Sequence, residues 1–209
     1  MTQTKAQKTA AKIIDSATEL FTQRGFFNVS IKEIATASGT NSALISYYFG
    51  GKTELYSAII MQQAEKITNL QKTVMADFPT ALGRIFNYII GIKDIQSQTT
   101  SHATLLYREL TTPSGLCNEL INARLEAIHN FTVEQIQAAI KENSIKPSVE
   151  PSYSAFILEG IIVLTFLTRE QLHLLTPDKE VNDSVIQDVV EYYFNPLLTG
   201  KEKISHGQN

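Results

Sequence analysis

Apolar residues in this 209-residue chain recur at every third or fourth position along most of its length, and no stretch alternates in twos with strand-favouring residues. That spacing gathers side chains onto one stripe of an α-helix, so an all-α chain is expected. Neither Asn-Gly nor Asp-Gly occurs to turn a hairpin. Glycines and prolines punctuate the stripes. The first stripe, Ile13, Ile14, Ala17, Leu20 and Phe21, belongs to a helix over 5–24, and Gly25 can adopt the left-handed conformation that ends it. Phe26, Phe27 and Val29 follow as an apolar link. Ser30-Ile31-Lys32-Glu33 reads as a capping box, the serine accepting from the third amide and the glutamate reaching back. A second helix therefore starts at Ile31, buries Ile34 and Ala35, and stops before Gly39. Asn41 or Thr40 caps a short third helix holding Leu44, Ile45 and Tyr48, which Gly50-Gly51 ends. A fourth begins near Lys52. Prolines then divide the remainder into helices expected over 79–95, 97–112, 116–142, 153–175 and 181–198.

Composition narrows the function classes. Apolar residues make up 43% and charged residues 19%, which suits a packed domain rather than a disordered chain. The net charge of −3 excludes a uniformly basic protein that coats nucleic acid. The single cysteine, Cys117, excludes an intrachain disulfide and a cysteine metal cluster. The N-terminus is polar and basic with no apolar run behind it, against a signal peptide. The longest apolar run, 156–167, is broken by Glu159 and is too short to span a bilayer. A soluble, cytoplasmic protein with no membrane partner is expected. The charge is also uneven. Residues 1–52 carry six bases and three acids, a net +3, while 53–209 carry 12 bases and 18 acids, a net −6. A basic first quarter on an acidic body suits a part that meets a polyanion and a part that does not.

The basic quarter contains the motif that carries function. Residues 31–49 form two short helices joined by a tight turn, as in a helix-turn-helix. Close crossing of the two helices favours a small residue, here Ala35. Four residues on, the turn needs positive φ, here Gly39. Ile34, Leu44 and Ile45 pin the angle, and the second helix is placed to enter a DNA major groove. Residues 13–60 as a whole resemble the DNA-binding domain of the TetR (tetracycline repressor) family. The resemblance rests on Leu20-Phe21, Arg24-Gly25-Phe26, Ser30-Ile31, Ile34-Ala35, Gly39, Tyr47-Tyr48-Phe49-Gly50, Lys52 and Glu54-Leu55. It implies an all-helical homodimer with a helix-turn-helix domain over 1–52 and a larger helical domain over 53–209 for ligand binding and dimerisation. It also implies a transcriptional regulator that is not an enzyme: a repressor that binds a near-palindromic double-stranded DNA operator and is released by a small-molecule effector. No cofactor is expected. The chain departs from the family at Ser46, where an aromatic residue is usual, so operator sequence cannot be carried over.

Roles follow residue by residue. Ser42 and Ala43, on the first turn of the third helix, are candidates for base-edge contact, with Ser46 one turn on. Adjacent tyrosines point in different directions, so Tyr47 is assigned to phosphate and Tyr48 to the core side with DNA contact open to it. Lys52, at the start of the fourth helix, suits a phosphate. Thr40 and Lys32 are further phosphate candidates, and Lys5 and Lys8 are read as an arm adding salt-dependent affinity.

In the second half, Tyr153, Phe156, Ile157, Gly160, Ile161, Leu164 and Leu167 form one wide apolar face. Val185, Ile186, Val189, Val190, Tyr193, Phe194 and Leu197 form another. A helix apolar on two sides needs two partners, the monomer core and a second chain. Tyr153, Ile157, Gly160, Ile161, Leu164, Val185, Val189 and Tyr193 are assigned to the dimer interface. Phe86, Tyr88, His102, Leu106, Tyr107, Arg108, Phe131 and Phe166 are the effector-pocket candidates, and Arg108 next to Glu109 also reads as an ion pair. The segment 105–110 followed by Pro113-Ser114 is similar to a subgroup of the family with a CerR-type C-terminal domain. One alternative competes: the pairs Glu126…His129 and Glu170…His173, with Glu109 and Glu159, have the spacing of a dimetal carboxylate bundle, an enzyme or metal sensor. Glu159 and Glu170 are expected to share one helix, which counts against it.

Overall fold

The computed structural model describes residues 4–98, 100–169, 171, 174 and 185–200. Nine α-helices lie among them: α1 Lys5–Arg24, α2 Ile31–Ala37, α3 Ser42–Phe49, α4 Lys52–Asp77, α5 Ala81–Gln98, α6 Thr100–Thr111, α7 Asn118–Lys141, α8 Pro151–Leu167 and α9 Val185–Phe194. Short 3-10 turns at Phe26–Asn28 and Asn195–Leu197 complete the described elements. Apart from an isolated bridge between Ile145 and Leu198, no strand pairing occurs among the described residues.

The chain forms two compact units. The first comprises the chain up to Ile67 together with Gln98–Ala123, and the second comprises Thr68–Ser97 and the chain from Arg124 onward. The division differs from the boundary expected at 52/53: α4 and α7 each contribute residues to both units, and α6 belongs to the first.

In the first unit α1 packs on α2 and α6, and α2 on α3. Its core gathers Ile13, Ala17 and Phe21 of α1, Ile34 and Ala35 of α2, Ile45 of α3, Leu55, Tyr56, Ile59 and Ile60 of α4, and Leu105, Cys117 and Ile121 from beyond. Phe21 meets Tyr56 edge-on, with ring centroids 5.1 Å apart. Helix ends are set locally. Gly25 ends α1 with φ 77° and ψ 161°, a positive φ with extended ψ rather than the left-handed helical conformation expected, and one that only glycine adopts without strain.

In the second unit the core draws on Leu82, Ile85 and Ile89 of α5, Ile136 and Ala139 of α7, Leu158, Ile162 and Phe166 of α8, and Val185, Ile186, Val190 and Phe194 of α9. Glu142, just past α7, accepts from the Ala81 amide at 2.9 Å and so caps the N-terminus of α5. α8 begins at Pro151, two residues earlier than expected, because Glu150 caps it and proline suits the first helical position. It stops at Leu167, short of the expected 175. The Thr168 amide and hydroxyl both bond back to the Leu164 carbonyl, closing the helix. Glu170, expected to share a helix with Glu159, lies outside the described residues. The expected start at 181 lies outside them as well. At the far end, Pro196 turns the chain into a 3-10 turn after Phe194.

Candidate nucleic-acid interface

Helix α3 is positioned from its two ends and its buried face. Upstream, the Ser30 capping box is complete: the Glu33 amide donates to Ser30 Oγ at 3.2 Å, and the Ser30 amide donates to Glu33 Oε2 at 2.8 Å. Glu33 also pairs with Arg24 at 2.8 Å, tying the start of α2 to the end of α1. The Ser30 hydroxyl and amide, with Arg24, hold the Glu33 carboxyl down at about 2. The turn after α2 is a Schellman motif. Gly39 takes φ 64°, the Gly39 amide donates to Thr36, and the Thr40 amide donates to Ala35. Thr40 is half-buried, its hydroxyl 2.8 Å from that of Ser38. Asn41, the first of the two cap candidates, accepts from the Leu44 amide at 2.9 Å and starts α3. Gly50, at φ 92°, ends it.

Between these caps α3 has two faces. Ile45 is fully buried, and Leu44, Tyr48 and Phe49 pack on the same core. Ser42, Ala43, Ser46 and Tyr47 are exposed and lie at positions i, i+1, i+4 and i+5, which is one contiguous face. Tyr47 is 80% exposed while Tyr48 turns inward, the division expected of adjacent residues. Lys32 is exposed on α2. Lys5 and Lys8 do not form an arm: helix starts at Lys5, capped by Thr4.

Lys52 serves the fold. Its ammonium donates to the carbonyls of Phe26 at 3.0 Å and Val29 at 2.9 Å, and it lies 4.0 Å from the centroid of the Phe26 ring. The cation is thus engaged by the link between α1 and α2, where a phosphate contact was expected. A lysine and two carbonyls more than twenty residues apart leave no pattern in the sequence.

α6 departs from its expected role in the same way. Leu106 packs against the core of the first unit, and Tyr107 is buried in that unit. Arg108 is exposed rather than buried. It donates to the Thr22 carbonyl at 3.4 Å, and its guanidinium lies against Gly25 at the end of α1. Nor does it pair with Glu109. The Glu109 carboxylate is buried and accepts from Tyr56 Oη at 2.6 Å and from the amide and hydroxyl of Ser114 at 3.1 Å each. Burial and that carboxylate push the Tyr56 hydroxyl well above the ordinary tyrosine value, so it stays a donor. Cys117 is buried in the same core, and its thiol is pushed up by burial.

The other pocket candidates lie in the second unit. Phe86 packs on Phe194 at 5.7 Å, Tyr88 on Phe131 at 5.1 Å, and Phe166 is buried under the Arg169 guanidinium. The side chain of His102 lies outside the described residues. One polar group beside them was missed. Gln135, one turn beyond Phe131 on α7, is buried, and its Oε1 has no hydrogen-bond partner among the described residues.

α8 buries Ala155, Leu158, Ile162 and Phe166 and exposes Tyr153, Phe156, Ile157, Gly160, Leu164 and Leu167 on its other side; Ile161 is half-buried. On α9, Val189 and Tyr192 are exposed. Val185, assigned to the dimer interface, is buried within the unit. Tyr193 is half-buried against Phe194 at 5.3 Å. Its neighbour Tyr192, 84% exposed, takes the outward place.

The dimetal alternative finds no donor set among the described residues. His129 meets Glu159 at 3.1 Å, Glu126 is exposed, and Glu109 belongs to the first unit. Among the described residues no group of three or more His, Cys, Asp or Glu side chains could hold a metal ion. Glu170 and His173 lie outside them.

Two short helices joined by a Schellman turn, with one exposed face on the second, define a helix-turn-helix domain. A family model described as bacterial regulatory proteins, tetR family, matches residues 13–59. The probable HTH-type transcriptional regulator YttP of Bacillus subtilis is 32% identical over 119 residues, covering 56% of this chain and 58% of that protein. The chain thus spans little more than half the length of that relative. The HTH-type transcriptional regulator UidR of Escherichia coli K12 is 25% identical over 168 residues, covering 75% of this chain and 79% of UidR. Among solved structures, the TetR family protein CprB from S. coelicolor A3(2) superposes with a TM-score of 0.77 at 16% identity, covering 96% of this chain and 93% of CprB. AibR, solved in complex with isovaleryl coenzyme A and operator DNA, superposes with a TM-score of 0.71 at 21% identity, covering 87% and 95%. These likenesses establish the fold. Residues 13–59 thus match the DNA-binding part of the tetR family of bacterial regulatory proteins, and the curated relatives that the chain resembles are HTH-type transcriptional regulators.

Proposed function

We propose that this chain is a transcriptional repressor that binds a near-palindromic operator as a homodimer and leaves it when a small molecule binds the second unit. The carrying observation is the face Ser42, Ala43, Ser46 and Tyr47, presented outward by a helix whose other side is pinned into a core. Ser42 and Ser46 offer hydroxyls to base edges or phosphates, Ala43 a methyl to thymine, and Tyr47 a phenol to the backbone. Lys32, exposed on α2, supplies charge. Tyr48, Thr40 and Lys52 hold the helix in place.

The dimer reading is supported by the apolar face of α8 with Val189 and Tyr192 of α9, which a second copy of the same face covers by two-fold symmetry. The effector reading is supported by Phe86, Tyr88, Phe131 and Phe166 in the second unit, with Gln135 Oε1 offering an acceptor to a ligand donor. Release requires that the effector bind the DNA-incompetent geometry more tightly than the competent one. No helix among the described residues is long and apolar enough to cross a membrane, which accords with a cytoplasmic site of action.

The test is selection of genomic fragments by the purified protein beside an Ala43→Asp/Tyr47→Ala variant, with sedimentation of a Tyr153→Glu/Leu164→Glu variant in parallel. Wild type enriches a short palindrome, the first variant does not, and the second sediments as a monomer. Equal enrichment by wild type and the first variant removes α3 from DNA recognition.

A further inference from the structure

We infer that the first two turns of α1, through Lys5, Lys8 and Lys12, hold the DNA backbone and supply most of this protein's electrostatic affinity for it. The inference rests on the regulator reading above and names the part of the domain that neutralises phosphates.

Charge accounting leads there. Residues 13–52 carry three bases, Arg24, Lys32 and Lys52, and three acids, Asp15, Glu19 and Glu33, so their net charge is zero. The whole excess of the helix-turn-helix region therefore comes from Lys5, Lys8 and Lys12. The geometry sharpens this. Arg24 is paired with Glu33 and bonded to the Asn28 carbonyl, and Lys52 is bonded to two carbonyls. Lys32 is the one base of that stretch with no such engagement among the described residues. A duplex binder draws a large share of its affinity from phosphate neutralisation. One lysine on α2 is a poor source for it.

The α1 overhang is built for that contact. Ile13 is the first buried residue of α1, so 5–12 extend about 12 Å of helix ahead of the core at 1.5 Å per residue. No residue of 5–12 is fully buried, yet Thr4 and Gln7 close a full capping box at its tip. Lys5, Lys8 and Lys12 are all exposed, and at about 100° per residue they fall within about 60° of one another around the helix. None forms an ion pair among the described residues. The first turn holds no acidic residue, so the positive end of the helix dipole adds to the lysines instead of being offset. Further along, the same side turns acidic with Asp15 and Glu19, both exposed. The stripe therefore meets a polyanion with its N-terminal half only.

The test uses the full chain and a duplex carrying the selected palindrome, with an unrelated duplex of equal length beside it. Dissociation constants are measured from about 50 to 200 mM salt for wild type, Lys5→Gln/Lys8→Gln/Lys12→Gln, Lys32→Gln and Lys5→Arg/Lys8→Arg/Lys12→Arg. The triple glutamine variant is expected to lose up to about 2.7 from the log–log salt slope per chain on both duplexes, and Lys32→Gln about 0.9 at most. The arginine variant keeps the wild-type slope, which separates charge from helix stability. Wild-type binding with an unchanged slope in the triple glutamine variant, or a loss no larger than that of Lys32→Gln, overturns the inference and leaves the regulator reading intact. Failure of wild type to bind either duplex at the lowest salt overturns both.

Discussion

Replacing Lys52 by methionine tests whether this residue holds the fold or the DNA. Methionine keeps the apolar stem over Phe26 and removes the ammonium, and with it two hydrogen bonds and a cation–ring contact. A hydrogen bond from a charged donor contributes about 1.5–3 kcal/mol, and a cation over a ring about 0.5–1 kcal/mol at an exposed site. The site is half-buried, so water reaches the freed carbonyls of Phe26 and Val29 and takes back part of that. A net loss of about 2–3 kcal/mol is expected. With a urea slope of about 2–3 kcal/mol per molar, the unfolding midpoint falls by about 1 M. The chain has no tryptophan, so far-ultraviolet circular dichroism and tyrosine emission are the probes. The salt slope of DNA binding is unchanged, because the ammonium is already occupied. A midpoint within about 0.2 M of wild type, together with a salt slope lower by about 0.9 per chain, would refute the assignment and return Lys52 to the phosphates.

Glu33→Gln removes an acid-sensitive clamp. The carboxyl titrates at about 2 in the folded chain against an ordinary 4.5, so its contribution is present above 4.5 and is lost as pH falls toward 2. The thermal midpoint of wild type is expected to drop across that window more than that of the variant, and parallel curves would exclude the clamp. Gly25→Ala forces a side chain onto φ 77° and ψ 161°, at a cost of about 1–3 kcal/mol, and crowds the Arg108 guanidinium, 3.2 Å from the new carbon. Gly39→Ala strains φ 64° in open space at a cost of about 1–2 kcal/mol. Urea midpoints should therefore rank Gly25→Ala below Gly39→Ala, and the reverse order would refute the argument.

What the sequence made legible is local. Capping boxes, turn glycines and apolar stripes act within one or two helical turns. The bounds of α1, the starts of α2 and α3, and the outward face of Tyr47 could therefore be read without coordinates. What it hid depends on partners far apart in the chain. Lys52 looks like a helix-start lysine until its distance to the Phe26 carbonyl is known. Arg108 looks like a pocket residue until it is found against Gly25, and Glu109 like its ion-pair partner until Tyr56 is found bonded to it. Tyr192 and Tyr193 differ only in which side of α9 the core occupies, and periodicity alone favoured the wrong one for the exposed place. The helix-turn-helix was thus legible as a local motif, while the residues that brace it and the packing of the second unit were not.

The first unit closes late in synthesis. Its core is begun by α1 to α4 and finished by Leu105, Cys117 and Ile121, about sixty residues further along. At about 5–20 residues per second, the ribosome leaves the apolar faces of Phe21, Leu55 and Ile59 without their last partners for roughly 3–12 s. A nascent chain arrested in that interval presents a finished turn motif on an open core. Chaperone capture should therefore peak before α7 emerges and fall once Ile121 has left the exit tunnel.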